Sequence, residues 1–196
     1  MLFKSKKQYI VYTAGADILK KKAKPIKTIT AEIEDLGLEM IEAMTAFDGI
    51  GLAGPQYGID KRIVTFNIPE PQNGFQSPGE AMLIPLMPLV AINPEIIDWG
   101  TEQIPWEEGC LSVPDIFGEV IRPATVKFKT MLLNGAIIEY ECGGLLARCI
   151  QHEIDHLNGH LFVERMAPDK FSIIESELRK LEKTGAGKSY KRRIRY

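Results

Sequence analysis

The chain has 196 residues, 45% of them hydrophobic and 26% charged, an ordinary globular composition that excludes long disorder, fibrous repeats and a disulfide-built miniprotein. No run approaches the roughly 18 apolar residues of a membrane span, and a formal net charge of −2 gives no sign of a DNA-binding surface, so neither membrane nor DNA is expected as a partner. The charge is unevenly spread: residues 1–30 hold eight Lys against one Asp and residues 188–196 five Lys and Arg against no acid, leaving 11 bases against 25 acids between them.

In chain order, a basic, weakly patterned lead-in is punctuated by Gly15 and Pro25. From Thr30 the pattern turns helical. Glu32 and Glu34 sit in the first turn, Ile33, Leu36, Met40, Ile41, Met44 and Phe47 recur at three and four, and Gly49 follows as a stop. The glycine-rich stretch Asp48–Gly58 lacks the Lys-Ser/Thr of a phosphate loop and reads as a turn. Arg62 to Asn67 alternates as a strand, while residues 69–81, rich in Pro, Gly, Gln and Ser, read as a long surface loop. Met87 to Ile97 reads as a strand pair broken at Asn93-Pro94, and Ala124–Leu133 with Ala136–Glu141 as a hairpin around Asn134-Gly135. Asp169 to Lys183 closes the pattern as an amphipathic helix, with Phe171, Ile174, Leu178 and Leu181 on one side and Gly185 ending it. The three cysteines, Cys110, Cys142 and Cys149, form no disulfide framework and no signal-length apolar run opens the chain, so a reducing, cytoplasmic location is expected.

The chemistry concentrates in Gln151-His152-Glu153-Ile154-Asp155-His156-Leu157-Asn158-Gly159. On a helix, His152 and His156 fall within about 40° of each other, with Glu153 at the edge of their face. Such a helix supplies two metal ligands and a base able to reach a water beside the ion. Leu145, Cys149, His152 and His156 share one face, Leu146, Ile150, Ile154 and Leu157 another, and Arg148, Gln151, Asp155 and Asn158 make a narrow polar stripe. A helix so largely apolar is buried, and two buried imidazoles need partners that a metal satisfies. Strands grouped ahead of a buried helix predict an α+β fold, with mixed or antiparallel sheets packed around the central motif helix and a C-terminal helix after it.

A catalytic site adds a third protein ligand and leaves one position to water. A metzincin-type protease would place a histidine at residue 162, which is Phe162; His160 is two residues too early. A thermolysin-like protease would draw on Glu175 or Glu177, in a chain with little room for a two-domain cleft. The third candidate is Cys110 in Glu107-Glu108-Gly109-Cys110-Leu111-Ser112, where Gly109 permits close backbone approach. A lone cysteine is also a common small core residue, and the residues by themselves leave the choice open.

Three stretches together resemble a known family. Gly49-Ile50-Gly51-Leu52-Ala53-Gly54-Pro55-Gln56, then Glu108-Gly109-Cys110-Leu111-Ser112, then Gln151-His152-Glu153 with His156, are similar in order and spacing to the three signature motifs of bacterial peptide deformylases. The likeness extends over most of residues 9–165. It implies metal ligation by Cys110, His152 and His156, with Glu153 as catalytic carboxylate and Gln56 and the Leu111 N–H facing the formyl oxygen. The implied ion is ferrous iron, replaceable by zinc, nickel or cobalt, and the implied substrate is the N-formyl-methionyl end of a new polypeptide. Departures are Gly54 for a common alanine, Gly15 for a common proline, a longer 69–81 loop, and Phe117 where an arginine is expected at the substrate entrance.

On that reading Ile50, Leu145 and Cys149 are expected to wall a methionine pocket, and Gly51 and Gly109 to let main chain pair with the peptide as an added strand. Residues 1–187 are read as one catalytic domain, and 188–196 as a basic tail suited to ribosomal RNA. A module that merely held formylated peptides would need neither Glu153 nor Gln56.

Overall fold

The computed structural model describes residues 8–185 and 189–192; of the basic stretch 188–196, only Ser189–Arg192 falls within the described residues. The elements are β1 Tyr9–Tyr12, α1 Ala31–Ala46, β2 Gly51–Ala53, β3 Ile63–Phe66, α2 Pro78–Leu83, β4 Leu89–Trp99, β5 Gln103–Cys110, β6 Val113–Pro123, β7 Val126–Met131, β8 Ile137–Cys142, α3 Gly144–Leu157, α4 Pro168–Gly185 and β9 Ser189–Arg192. This is the α+β architecture that the patterning predicts, and every strand pair in it is antiparallel.

A five-stranded sheet of order β2-β3-β4-β7-β8 forms the middle layer. Period-two alternation deals its residues to opposite faces. Val64, Phe66, Leu89, Ala91 and Phe128 join Leu146, Ile150, Ile154 and Leu157 of α3. Ile63, Val90 and Ile92 join Ile33, Met40 and Met44 of α1 on the other side. From Leu146 to Leu157 every residue of α3 is buried, so the motif helix is the centre of the molecule. A separate β5–β6 hairpin packs on α4 and on a 3-10 turn at Phe162–Arg165, and β9 pairs with β1. Among the described residues no helix is long and apolar enough to cross a membrane.

Three local expectations change, and one further element is not read from the sequence at all. Asn93-Pro94 does not break the strand: β4 runs through it with a register shift between Ile92 and Glu95. Asn93 takes a left-handed backbone, φ 50°, and its side chain accepts from the Ile26 N–H and donates to the Ile26 carbonyl, both at 2.8 Å. The bulge thus ties the lead-in to the sheet, and Pro94 sits where no ladder donor is needed. The 69–81 stretch ends in a short helix because Ser77 accepts from the Glu80 N–H at 3.3 Å and Pro78 occupies the first turn. Gly51–Ala53, inside the glycine-rich stretch, is a strand. The long β5–β6 hairpin has no Asn-Gly signal, and its Pro105, Gly109 and Pro114 obscure the alternation that buries Ile116, Gly118, Val120 and Arg122 along β6.

Candidate metal centre and its cavity

Three pieces of chain converge on the sulfur and the two imidazoles. α3 carries His152 and His156 one turn apart, their rings 4.9 Å between centroids. The end of β5 brings Cys110, whose Sγ lies 3.2 Å from His156 Nε2, and His156 Nε2 lies 3.2 Å from His152 Nε2. All three donor atoms fall within 4.8 Å of one another. Tetrahedral ligation with metal–sulfur bonds of about 2.3 Å and metal–nitrogen bonds of about 2.05 Å would separate N from N by about 3.3 Å and S from N by about 3.6 Å. The closest pairs stand at nearly these spacings, and one thiolate with two imidazoles is a donor set for a borderline divalent ion. Burial, with the charges of His152 and Arg122, holds His156 well below the usual imidazole range and so in the neutral form that can ligate.

The other third-ligand candidates lie elsewhere. His160 Nδ1 pairs with Glu164 at 2.8 Å on the surface, Glu175 pairs with Arg179 at 2.6 Å on α4, and Glu177 is exposed. Phe162 stacks on the His152 ring at 6.0 Å. Among the described residues, Cys110, His152 and His156 are the cluster able to hold an ion.

Glu153 is buried, yet its Oε2 has no hydrogen-bond partner. Burial pushes its carboxyl up to about 7, against the charges of His152 and Arg122 and with that of Glu108. An orphaned buried carboxylate is costly unless a ligand uses it. The nearby main chain is shaped around it: a Cβ on Gly51 would overlap Glu153 Oε1 and lie 2.7 Å from Cys149 Sγ. Gln56, in the 3-10 turn after β2, accepts the Ala53 N–H through Oε1 at 2.7 Å and aims Nε2 at Cys110 Sγ at 3.5 Å. The first bond fixes which way the amide points.

A cavity of about 480 Å³ opens onto these groups, lined by Ile50, Gly51, Gln56, Gly109, Cys110, Leu111, Leu145, Cys149, His152 and Glu153, and His156 adjoins Cys110 and His152. The site residues named from the family resemblance and as pocket walls thus line one cavity, except His156, which does not line it. Phe117, 60% exposed, stands at the mouth, and a Cβ on Gly109 would come within 2.6 Å of its ring. Trp106 and Arg148 also line the cavity.

The polar stripe of α3 departs from expectation: Arg148, Gln151 and Asp155 are buried. Glu108 Oε2 lies 2.9 Å from His152 Nδ1, fixing the ring from behind. Arg122 forks onto the same carboxylate, Nε to Oε1 at 2.7 Å and Nη2 to Oε2 at 3.0 Å, and reaches Asp155 Oδ2 at 2.7 Å with Nη1. Arg165 Nη2 closes the chain on Asp155 Oδ1 at 2.7 Å. Burial alone would raise Glu108, but its bonds from His152 and Arg122 outweigh that and hold the carboxyl at about 2. Three charged or amide side chains on one face of an otherwise apolar helix are the signal for this network; their partners come from the Phe162–Arg165 turn and from a hairpin that periodicity does not reveal.

Known proteins carry the same arrangement of chain. The model of the polypeptide deformylase family matches residues 8–172. A peptide deformylase of Prochlorococcus marinus is 44% identical over 156 residues, covering 80% of this chain and 72% of that protein. The crystal structure of peptide deformylase from Ehrlichia chaffeensis superposes with a TM-score of 0.77 at 33% identity, covering 91% of this chain and 98% of that one. That from Thermotoga maritima gives 0.71 at 37% identity, covering 83% and 99%. Family-model match, sequence identity and superposition agree with the geometry around His152 and His156: this chain belongs to the polypeptide deformylase family.

Proposed function

We propose that Glu153, Gln56 and the Leu111 N–H carry out the hydrolysis by which this enzyme takes the formyl group from the N-terminal methionine of a new polypeptide, releasing formate. The carrying observation is the cluster of Cys110, His152 and His156 donor atoms within 4.8 Å, beside a buried Glu153 carboxylate oxygen with no partner. Cys110, His152 and His156 would hold a divalent ion, which when bound would supply Lewis acidity and a water of lowered pKa. Ferrous iron is the ion that the family resemblance carries, with zinc, nickel or cobalt able to substitute. Glu153 takes the proton of the attacking water and delivers it to the departing amine nitrogen, so that water and formamide become formate and a free α-amine. Charge gathers on the formyl oxygen during attack, and each preorganised donor there, Gln56 Nε2 and the Leu111 N–H, is worth about 2.7–4 kcal/mol. The formyl carbon bears a hydrogen where an acetyl carbon bears a methyl, so a close-fitting site excludes acetyl.

Ile50, Leu145 and Cys149 wall the part of the cavity suited to the methionine side chain. β2 is an edge strand, and with Gly109 it offers main chain for the peptide to lie along. Residues 1–187 act as one catalytic domain, and three free cysteines fit the reducing cytoplasm.

The test is formate release from formyl-Met-Ala-Ser under anaerobic conditions. Chelation is expected to abolish it and Fe²⁺ or Ni²⁺ to restore it. Activity that survives complete metal removal would reject the centre, and cleavage of internal peptides would favour a protease. Gly51→Ala is expected to lower kcat/KM by about 10²-fold, because its methyl displaces the Glu153 carboxylate; an undiminished rate would show that Glu153 has room to move.

The tail's charge supports contact with ribosomal RNA near emerging chains. Because Ser189–Arg192 pairs with β1, deletion would confound charge with fold. Replacing Lys188, Lys191, Arg192, Arg193 and Arg195 by Gln is expected to weaken ribosome co-sedimentation at low salt, and equal co-sedimentation would reject the contact.

A further inference from the structure

Resting on the metal-centre reading above, we propose that Arg148 is a positioning residue that fastens the hairpin carrying Cys110 to the helix carrying both histidines, and so governs how firmly the ion is held. The ligands come from two separate bodies. α3 packs on β2, β3 and β4, whereas the β5–β6 hairpin packs on α4 and the Phe162–Arg165 turn. The hairpin pairs with no strand of the five-stranded sheet. The bodies are continuous where β4 runs into β5 and β6 into β7, with main-chain bonds from the Gly100 N–H to the Thr125 carbonyl and from the Ala124 N–H to the Glu102 carbonyl. At the level of the site side chains make the joint, and among them Arg148 bonds both strands of the hairpin.

Arg148 sits one helical turn before His152 and is 5% exposed. Its Nη2 donates to the Ile104 carbonyl of β5 at 2.8 Å, and its Nη1 to the Val120 carbonyl of β6 at 3.1 Å and to Glu108 Oε1 at 3.0 Å. One planar guanidinium thus holds both strands and the carboxylate that orients His152, a geometry that a single ammonium cannot reproduce. Trp106 of β5 covers the guanidinium at 5.9 Å, which adds a cation–π contact on the cavity side. Arg122 engages Glu108 as well, but from within the hairpin, and reaches α3 through Asp155 one turn further on. Without Arg148, Glu108 keeps a counter-ion while both strand carbonyls lose their donor. The hairpin is then free to shift relative to α3, and Cys110 with it.

The test compares full-length wild type, Arg148→Met and Arg148→Lys, each loaded with Co²⁺. Release of Co²⁺ to a chelator measures retention. The thiolate-to-cobalt charge-transfer absorption reports whether Cys110 stays bound, and thermal unfolding is followed with and without metal. Arg148→Met is expected to release Co²⁺ about 10–100-fold faster with a weakened absorption. Arg148→Lys recovers part of the retention through Glu108 alone. Release at the wild-type rate with an unchanged absorption overturns the proposal, as does an equal fall in unfolding temperature with and without metal. If the Met variant does not fold, the Lys variant decides on the same readouts. A wild type that holds no Co²⁺ at Cys110 would instead overturn the metal-centre reading itself.

Discussion

Replacing Glu153 by Gln is expected to lower formate release from formyl-Met-Ala-Ser by about 10²–10⁴-fold while leaving metal content unchanged. The substitution keeps the shape of a side chain that, with Cys149, fills the space beside Gly51 and removes only the ability to take and return a proton. Glu153 belongs to none of the three donor pairs that define the centre, so the ion should remain. The measurement is single-turnover formate release beside metal analysis of the same sample. A Gln variant with full activity would take the base role from Glu153, and one that loses its metal would make Glu153 a ligand.

Glu108→Ala is expected to cost about 3–5 kcal/mol of stability, because it strands buried cations rather than removing a pair. Arg122 would keep only Asp155, Arg148 would keep only strand carbonyls, and His152 Nδ1 would lose its acceptor. Urea unfolding of metal-free protein reads the stability, and the loss of an orienting carboxylate behind His152 should weaken metal binding by about 10–100-fold as well. Acid sensitivity supplies an independent check. The Glu108 carboxyl is held at about 2 against an ordinary 4.5, so its contribution is complete above about pH 4.5 and lost as pH falls toward 2. The Ala variant should lack that portion of the acid dependence. A variant as stable as wild type, with the same acid profile, would remove Glu108 from the account.

The legibility of the chain divides along the range of the interactions. The spacing of His152, Glu153 and His156 and the helix beneath it could be read because a period of 3.6 is local. The Asn134-Gly135 hairpin could be read because its turn chemistry lies in two residues. The β4 bulge at Asn93 could not, since its cause is a pair of hydrogen bonds to Ile26, 67 positions away. Gly51 could be read as permissive backbone, but not as the space into which Glu153 folds.

The amino-acid order by itself determined that two imidazoles and a carboxylate share one helical face, that this helix is buried, and, through three ordered motifs, which family the chain resembles. Tertiary structure brought Cys110 Sγ, 46 positions away in sequence, to 3.2 Å from His156 Nε2 and left Glu175 and His160 paired elsewhere. It also turned the polar stripe of α3 into a buried ion network. The reason is that periodicity specifies which side chains share a face, while the β5–β6 hairpin laid over that face decides whether Arg148 and Asp155 meet water or Glu108 and Arg122.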